Sequence, residues 1–404
     1  MHGGSFRAGT GPRHPVGSRK RHTGRVDRGN RCIWWVYTWL RLPGTRPNND
    51  RIGSRGDDPV FKITTALVIA LALVVAPTPH TPRAPSSGAF AAQIAALSEP
   101  DGYFDTDNLI SNERSYQQVF PELDRLKLHG GTYVGVGPDQ NFSYIAGIRP
   151  SIAFIVDIRR DNLLLHLLFK ALFEQASSRL EYLALLFGRP VPADLAGLRD
   201  SRVDRLVQYI NRPPVDVKSL DLTRRRLETV IKGFGVPVSI EDLETISRFH
   251  RRFIEAGLTL QFQSAGRPPQ SHYPTYGDLL LETDGAGRQR NYLASEESFQ
   301  FVKSLEARDR VIPVVGNFSG TKALAGIGRV MTERGEPLSA FYASNVEFYL
   351  DREGSYHRFI SNLSHMPHTG RTVIIRSIFN RGMGGSMSVV QPVDELLSQF
   401  AVAR

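Results

Sequence analysis

The stretch Thr132-Tyr-Val-Gly-Val-Gly-Pro-Asp-Gln-Asn141 constrains the fold of this chain more than any other. Residues 132–136 are apolar and β-forming, which spells a strand. Gly135 and Gly137 stand at its end, where glycine lets the backbone turn sharply and lets a ligand approach closely. A helix is expected over residues 140–148. Its start would offer free N–H groups and the positive end of the helix dipole to whatever lies in the turn. Ile152-Ala-Phe-Ile-Val-Asp-Ile158 is a near-continuous apolar strand, typical of a parallel sheet covered on both faces. Asp157 ends it, 22 positions after Gly135. An acid roughly 20 residues beyond such a turn is placed to accept hydrogen bonds from a ribose hydroxyl pair.

The alternation continues. Residues 163–187 carry leucines at helical spacing and read as one long helix. Helices are expected over 295–307, 321–334 and 356–363, and strands over 311–315, 338–343 and 372–378. Pro313 fits a strand only at its start or at a sheet edge. Residues 189–270 hold several helices and no clear strand, which marks a helical insertion. Upstream, 91–97 is a short helix, 102–113 a loop, and Ser111 or Asn112 is placed to cap a helix running to about residue 128. The whole is an α/β fold, a Rossmann-like, doubly wound, mostly parallel sheet with a helical insertion at about 189–270.

The turn itself selects among ligands. A dinucleotide site wants a third glycine at position 140, where this chain has Gln. A pyrophosphate at the helix start would meet that side chain, so a nucleotide-dependent oxidoreductase is disfavoured.

At this point the sequence resembles class I S-adenosylmethionine-dependent methyltransferases, in which a glycine turn follows the first strand and an acid ends the second. Gly135, Gly137 and Asp157 match those features. Residues 102–380 resemble more closely an uncharacterised bacterial family with that core. The resemblance implies a cofactor site of Tyr133, Gly135, Gly137, Pro138, Asn141, Asp157, Ile158 and Arg159, with Asn317 and Phe318 beside the adenine. It also places Ser344 and Asn345 at the end of the fourth strand, beside the methyl group. There they would orient an acceptor, with Glu347 as its base. Ser344 and Asn345 equally suit a simple cap on a helix over 346–350. Three departures stand out: Tyr133 where the family often has an acid, Asp139 at its third glycine, and Asn317 where it often has Asp. A segment with Tyr103, Phe104, Asp105, Asn112, Glu113 and Tyr116 would close over the cofactor, or be an ordinary loop and helix start. Arg159 and Arg160 would flank the adenine or a carboxylate, with at least one of them solvent-exposed.

The remaining features exclude more than they assign. Of the formal charge of +10, +8 lies in residues 1–58, with twelve Arg/Lys against four Asp. A nucleic-acid reading needs a basic face on the folded domain, so none is favoured. Cys32 is the only cysteine and lies in the same leader, so the folded part has no thiol chemistry. His365 and His368 offer two imidazoles with no third ligand nearby in sequence, and no metal is expected. Arg224-Arg-Arg226 is a solvated helix face or a phosphate contact.

Residues 1–59 are an Arg/Gly-rich leader without periodicity, expected to be disordered. The apolar run 63–76 is short for a spanning helix and suits a signal peptide or membrane anchor within 60–89, followed by a Pro-rich linker. On that reading translation begins near Val60, and the chain contacts the membrane through 63–76. If the leader is an artefact, the protein is cytoplasmic. The expected function is an S-adenosylmethionine-dependent methyltransferase of a small-molecule or unidentified acceptor, over residues 90–404. The alternative is an exported or tethered ligand-binding protein of the same fold.

Overall fold

The computed structural model describes residues 87–401, except 192–195, 268, 269, 271 and 381–384. The leader, the run 63–76 and Cys32 lie outside the described residues, as does most of the glycine-rich loop at 382–386. Among the described residues no helix is long and apolar enough to cross a membrane.

One six-stranded sheet organises the described chain. Its strands are β1 (Thr132–Gly135), β2 (Ile152–Asp157), β3 (Val311–Val315), β4 (Leu338–Ser344), β5 (His368–Asn380) and β6 (Gly385–Pro392), in the spatial order β3-β2-β1-β4-β5-β6. The first four neighbouring pairs are parallel; β6 returns antiparallel to β5, with Val373 opposite Pro392. Every residue of β1, β2 and β3 is buried, which is why those strands read as unbroken apolar runs rather than alternating ones. Pro313 sits inside β3, but β3 is an edge strand, so no neighbour needs the N–H that proline lacks.

The helix after the glycine turn spans Gln140–Ile148 as expected. The helix expected over 163–187 is two: Arg160–Gln175 and Arg179–Leu186. Ala176 is extended, and the Ser178 hydroxyl accepts from the Glu181 N–H at 3.2 Å, so a serine cap starts the second helix. The helix expected from 111 to 128 is a 3-10 turn, Arg114–Val119, followed by Phe120–Arg125. Neither Ser111 nor Asn112 occupies its N-cap; Glu113 does, and Ser111 Oγ accepts the Glu113 N–H at 3.1 Å. The last strand and the last helix, β6 and Val393–Ala401, were not expected.

Between Leu186 and β3 the described segment is helical, with Val203–Asn211, Val217–Gly233 and Ile240–Ala256 as its main members. Arg179 is fully buried. It anchors this segment by donating to the carbonyls of Leu293 (2.7 Å) and Ala294 (2.8 Å) on one side and of Arg199 (3.0 Å) on the other. The core beneath is aromatic: Phe142 meets Phe173 edge-on at 5.2 Å, and Phe173 stacks on Phe299 at 5.3 Å.

Candidate functional site

The four parallel strands β1 to β4 end on the same edge of the sheet. Val136 and Gly137 follow β1, Asp157 and Ile158 close β2, Gly316 to Phe318 follow β3, and Ser344 and Asn345 close β4. All of them line one cleft of about 960 Å³, measured out to open solvent. Tyr103, Phe104, Thr106, Asn108, Ser111 and Asn112 cover it from the N-terminal side, while Phe262 and Tyr349 complete its aromatic wall. Phe104 packs edge-on against Tyr349 at 4.8 Å.

The glycine turn is held from behind. Asn141 is fully buried and donates from Nδ2 to the carbonyls of Val136 (2.9 Å), Gly137 (3.2 Å) and Pro138 (2.8 Å). Its Oδ1 accepts from the Tyr133 hydroxyl at 2.8 Å. His166 adds a bond from Nε2 to the Gly137 carbonyl at 2.9 Å, so Nε2 carries the proton. Burial pushes the His166 imidazole down to about 4, which keeps it neutral. Gly137 has φ +85°, a conformation that favours glycine. A side chain at Gly135 would collide with Asn141 Oδ1 and the Tyr133 ring. Tyr133, Gly135, Pro138 and Asn141 therefore shape the turn from within and do not line the cleft. They were expected to contact a cofactor; the packing that fixes the turn keeps them out of the cleft wall. Val136, Gly137 and Gln140 are the residues of this segment that line the cleft.

Asp157 reaches the cleft, yet its carboxylate is engaged. Arg159 donates to Oδ1 from its backbone N–H and from Nε, and to Oδ2 from Nη2, each at 3.0 Å. Arg159 Nη1 donates to the Thr106 carbonyl at 3.0 Å, tying this pair to the covering segment. A carboxylate offers about four acceptor positions, so about one is left on Asp157. Arg160 turns away, to Asp242 (2.7 Å) and the Pro237 carbonyl (2.8 Å).

Asn317 Oδ1 accepts from the N–H and the hydroxyl of Ser319, both at 2.9 Å. Because a backbone N–H can only donate, the amide orientation is fixed and Nδ2 is the group left for a ligand. Phe318 is buried against Phe341 (4.9 Å) and Phe359 (5.4 Å).

At the end of β4, Asn345 occupies the N-cap of the helix Val346–Arg352 without making a side-chain cap bond. Ser344 donates its hydroxyl to Glu113. Glu347 does not line the cleft: Arg376 Nε reaches it at 2.6 Å and the Tyr356 hydroxyl at 2.9 Å. It was expected as a base facing the acceptor; instead an arginine on β5 claims the carboxylate. Glu113 takes its place as the carboxylate nearest the β4 end. It is 2% exposed and also accepts from the Tyr342 hydroxyl at 2.9 Å. Burial pushes its carboxyl above the usual range, partly offset by those two hydroxyls and that of Ser377.

Of the six residues expected to close over a cofactor, Tyr103, Phe104 and Asn112 line the cleft. Asp105 pairs with Arg267, and Tyr116 is in the core, its hydroxyl on the Leu279 carbonyl. His365 and His368 are bound to the carbonyls of Ser361 and Met366, and Arg224, Arg225 and Arg226 are exposed. Among the described residues no group of three His, Cys, Asp or Glu could hold a metal ion.

Charge limits what the cleft can take. Among the described residues its charged lining is Asp157, Arg159 and Glu353, and the one cation of these is already spent on Asp157. Asp139 stands at the N-cap of the Gln140–Ile148 helix, its carboxylate accepting from Tyr276 (2.6 Å) and Tyr292 (3.2 Å). Burial raises it to about 6. A carboxylate at that helix start opposes a phosphate there. Two buried atoms in residues of the cleft wall, Gln140 Oε1 and Thr106 Oγ1, have no hydrogen-bond partner.

Fold and site together define an α/β protein with a cleft at the carboxyl edge of a mostly parallel sheet. The chain matches the family model described as a domain of unknown function (DUF7790) over residues 108–190 and 271–399, more than half of its length, and belongs to that family. The two matched stretches flank the helical segment. No curated protein matches the sequence.

Proposed function

We propose that the cleft binds S-adenosylmethionine and that the protein is a methyltransferase acting on a small molecule. The observation that carries the reading is the position and charge of the cleft. It opens where β1 and β4 run side by side and the strand order reverses, with β2 and β3 laid to one side and β5 to the other. Nucleotide-type ligands bind at that point in doubly wound sheets, and the order β3-β2-β1-β4-β5-β6 is the succession of the Rossmann type. The antiparallel β6 suits an edge strand added to such a sheet.

The residues present fit this ligand. Asp157 has an acceptor position for a ribose hydroxyl, and Arg159 must shift for a second. The Asn317 amide N–H suits an adenine ring nitrogen, with Ile158 and Phe318 as apolar walls. With no spare cation among the described residues, the lining suits a sulfonium better than a pyrophosphate. Bound adenosylmethionine would supply an electrophilic methyl group. The chain would then hold the two reactants in line and exclude water, which lowers the barrier by proximity.

Thermal-shift measurements on the full chain with adenosylmethionine, adenosylhomocysteine and NAD test the reading. Stabilisation by the two adenosyl ligands and none by NAD is expected. Stabilisation by NAD alone overturns it.

A further inference from the structure

The end of β4 carries two features that cofactor binding leaves unused. Ser344 has φ +52°, in the left-handed region that a serine enters only under strain. Such strain persists only where the surroundings impose it. Here it accompanies a Ser344 side chain that is both in the cleft wall and hydrogen-bonded to Glu113. Behind it, Glu113 is a buried carboxylate with no cation hydrogen-bonded or ion-paired to it among the described residues. Its neighbours are the hydroxyls of Ser344 and Tyr342 on β4 and of Ser377 on β5, with Tyr144 of the Gln140–Ile148 helix packed 4.9 Å from the Tyr342 ring. Because Tyr342 gives its proton to Glu113, it accepts from Gln140 Nε2 at 3.3 Å. That leaves Gln140 Oε1 as the unpaired acceptor in the cleft wall.

We propose that Ser344 and Glu113 form a proton relay opening on the cleft, so that the methyl acceptor is a hydroxyl or amine that must lose a proton. The proposal rests on the methyltransferase reading. Glu113 is a positioning residue: it fixes the Ser344 hydroxyl and takes its proton. The acceptor's O–H or N–H bond breaks, its proton passes to Ser344 Oγ, and the Ser344 proton passes to Glu113 Oε1. For a hydroxyl the freed electron pair forms the bond to the methyl carbon; for an amine the nitrogen lone pair forms it and the N–H pair becomes the new lone pair; in both the carbon–sulfur pair stays on sulfur. A carboxylate and a sulfonium are thereby neutralised together, in a site where burial already favours the neutral acid. Gln140 Oε1 accepts a hydrogen bond from the ligand.

Infrared titration of the Glu113 carboxyl band in the full chain, assigned by its loss in Glu113→Gln, tests the relay. The expected midpoint lies above the ordinary glutamate range in the free protein. It rises further in both Ser344→Ala and Ser344→Gly, which remove the donor; the glycine variant also relieves the strained backbone. Adenosylmethionine is expected to lower the midpoint more than adenosylhomocysteine, because only the first brings a sulfonium charge. An ordinary midpoint, or one that ignores Ser344, overturns the relay. So do equal midpoints with the two ligands when both bind. If neither binds, the cofactor reading falls, and the Ser344 coupling in the free protein still decides whether the pair exists.

Discussion

Arg159 folds back on Asp157, two residues before it, in a two-pronged ion pair with both separations at 3.0 Å and both side chains less than a tenth exposed. Removing one partner of such a pair strands the other charge, at a cost of about 3–5 kcal/mol. Asp157→Ala is therefore expected to lower unfolding stability by about that much in urea, before any ligand is added. A loss below about 1 kcal/mol would mean that Arg159 finds solvent once its partner is gone.

Asn141 bonds three consecutive turn carbonyls and one tyrosine hydroxyl. Leaving buried polar groups unpaired costs about 1–3 kcal/mol each. Asn141→Ala is expected to destabilise by at least about 3 kcal/mol. Tyr133→Phe, which removes one of these bonds, should cost about 1 kcal/mol. Equal effects in chemical denaturation would show that the side chain does not hold the turn.

His166 gives a pH signature. Its folded value of about 4 lies below the ordinary 6.5, so the unfolded chain binds the proton more readily. Its contribution is complete above about 6.5 and is lost as pH falls towards 4, for about 3 kcal/mol in all. Asp139, raised to about 6, acts in the opposite sense over much of the same window. The test is therefore the difference between wild type and His166→Gln. The stability advantage of wild type is expected to be larger at pH 7 than at pH 4.5. A constant difference across that range contradicts a buried neutral imidazole.

Ser344→Gly and Ser344→Ala both delete the hydroxyl on Glu113, but only glycine accepts φ +52° without strain. The glycine variant should be the more stable by about 1 kcal/mol. This reverses the usual order within a strand, where glycine is the weaker residue. Thermal unfolding of the two proteins decides it.

Much of this architecture is legible in local pattern. The runs in β1, β2 and β3 are apolar because both faces are covered, and the helix at 140 begins where the glycine turn ends. The break at Ala176 carried a signal too, Ser178 followed three residues later by Glu181, which a run of leucines on both sides hides. β6 was missed because its residues lie beside a glycine-rich loop and its pairing partner, β5, gives no local sign of it.

The site was legible by strand end but not by side chain. Asp157, Asn317, Phe318 and Ser344, expected at strand ends, all line the cleft because strand ends share one sheet edge. Whether Asn141 faces a ligand or its own turn depends on a tyrosine eight residues away and on packing around both. Glu347 was lost to Arg376, and Glu113 gained its position by approaching β4 from 231 residues upstream. Such pairings have no periodicity to read.

The most direct test of the central claim is calorimetric titration of the full chain with adenosylhomocysteine, in wild type and in Asp157→Asn. Saturable one-to-one binding, weakened about tenfold or more by the substitution, is expected for a ribose held by that carboxylate, since a hydrogen bond to a charged group is worth about 1.5–3 kcal/mol. Absence of binding to the wild type, or equal affinity in the two proteins, would contradict the account.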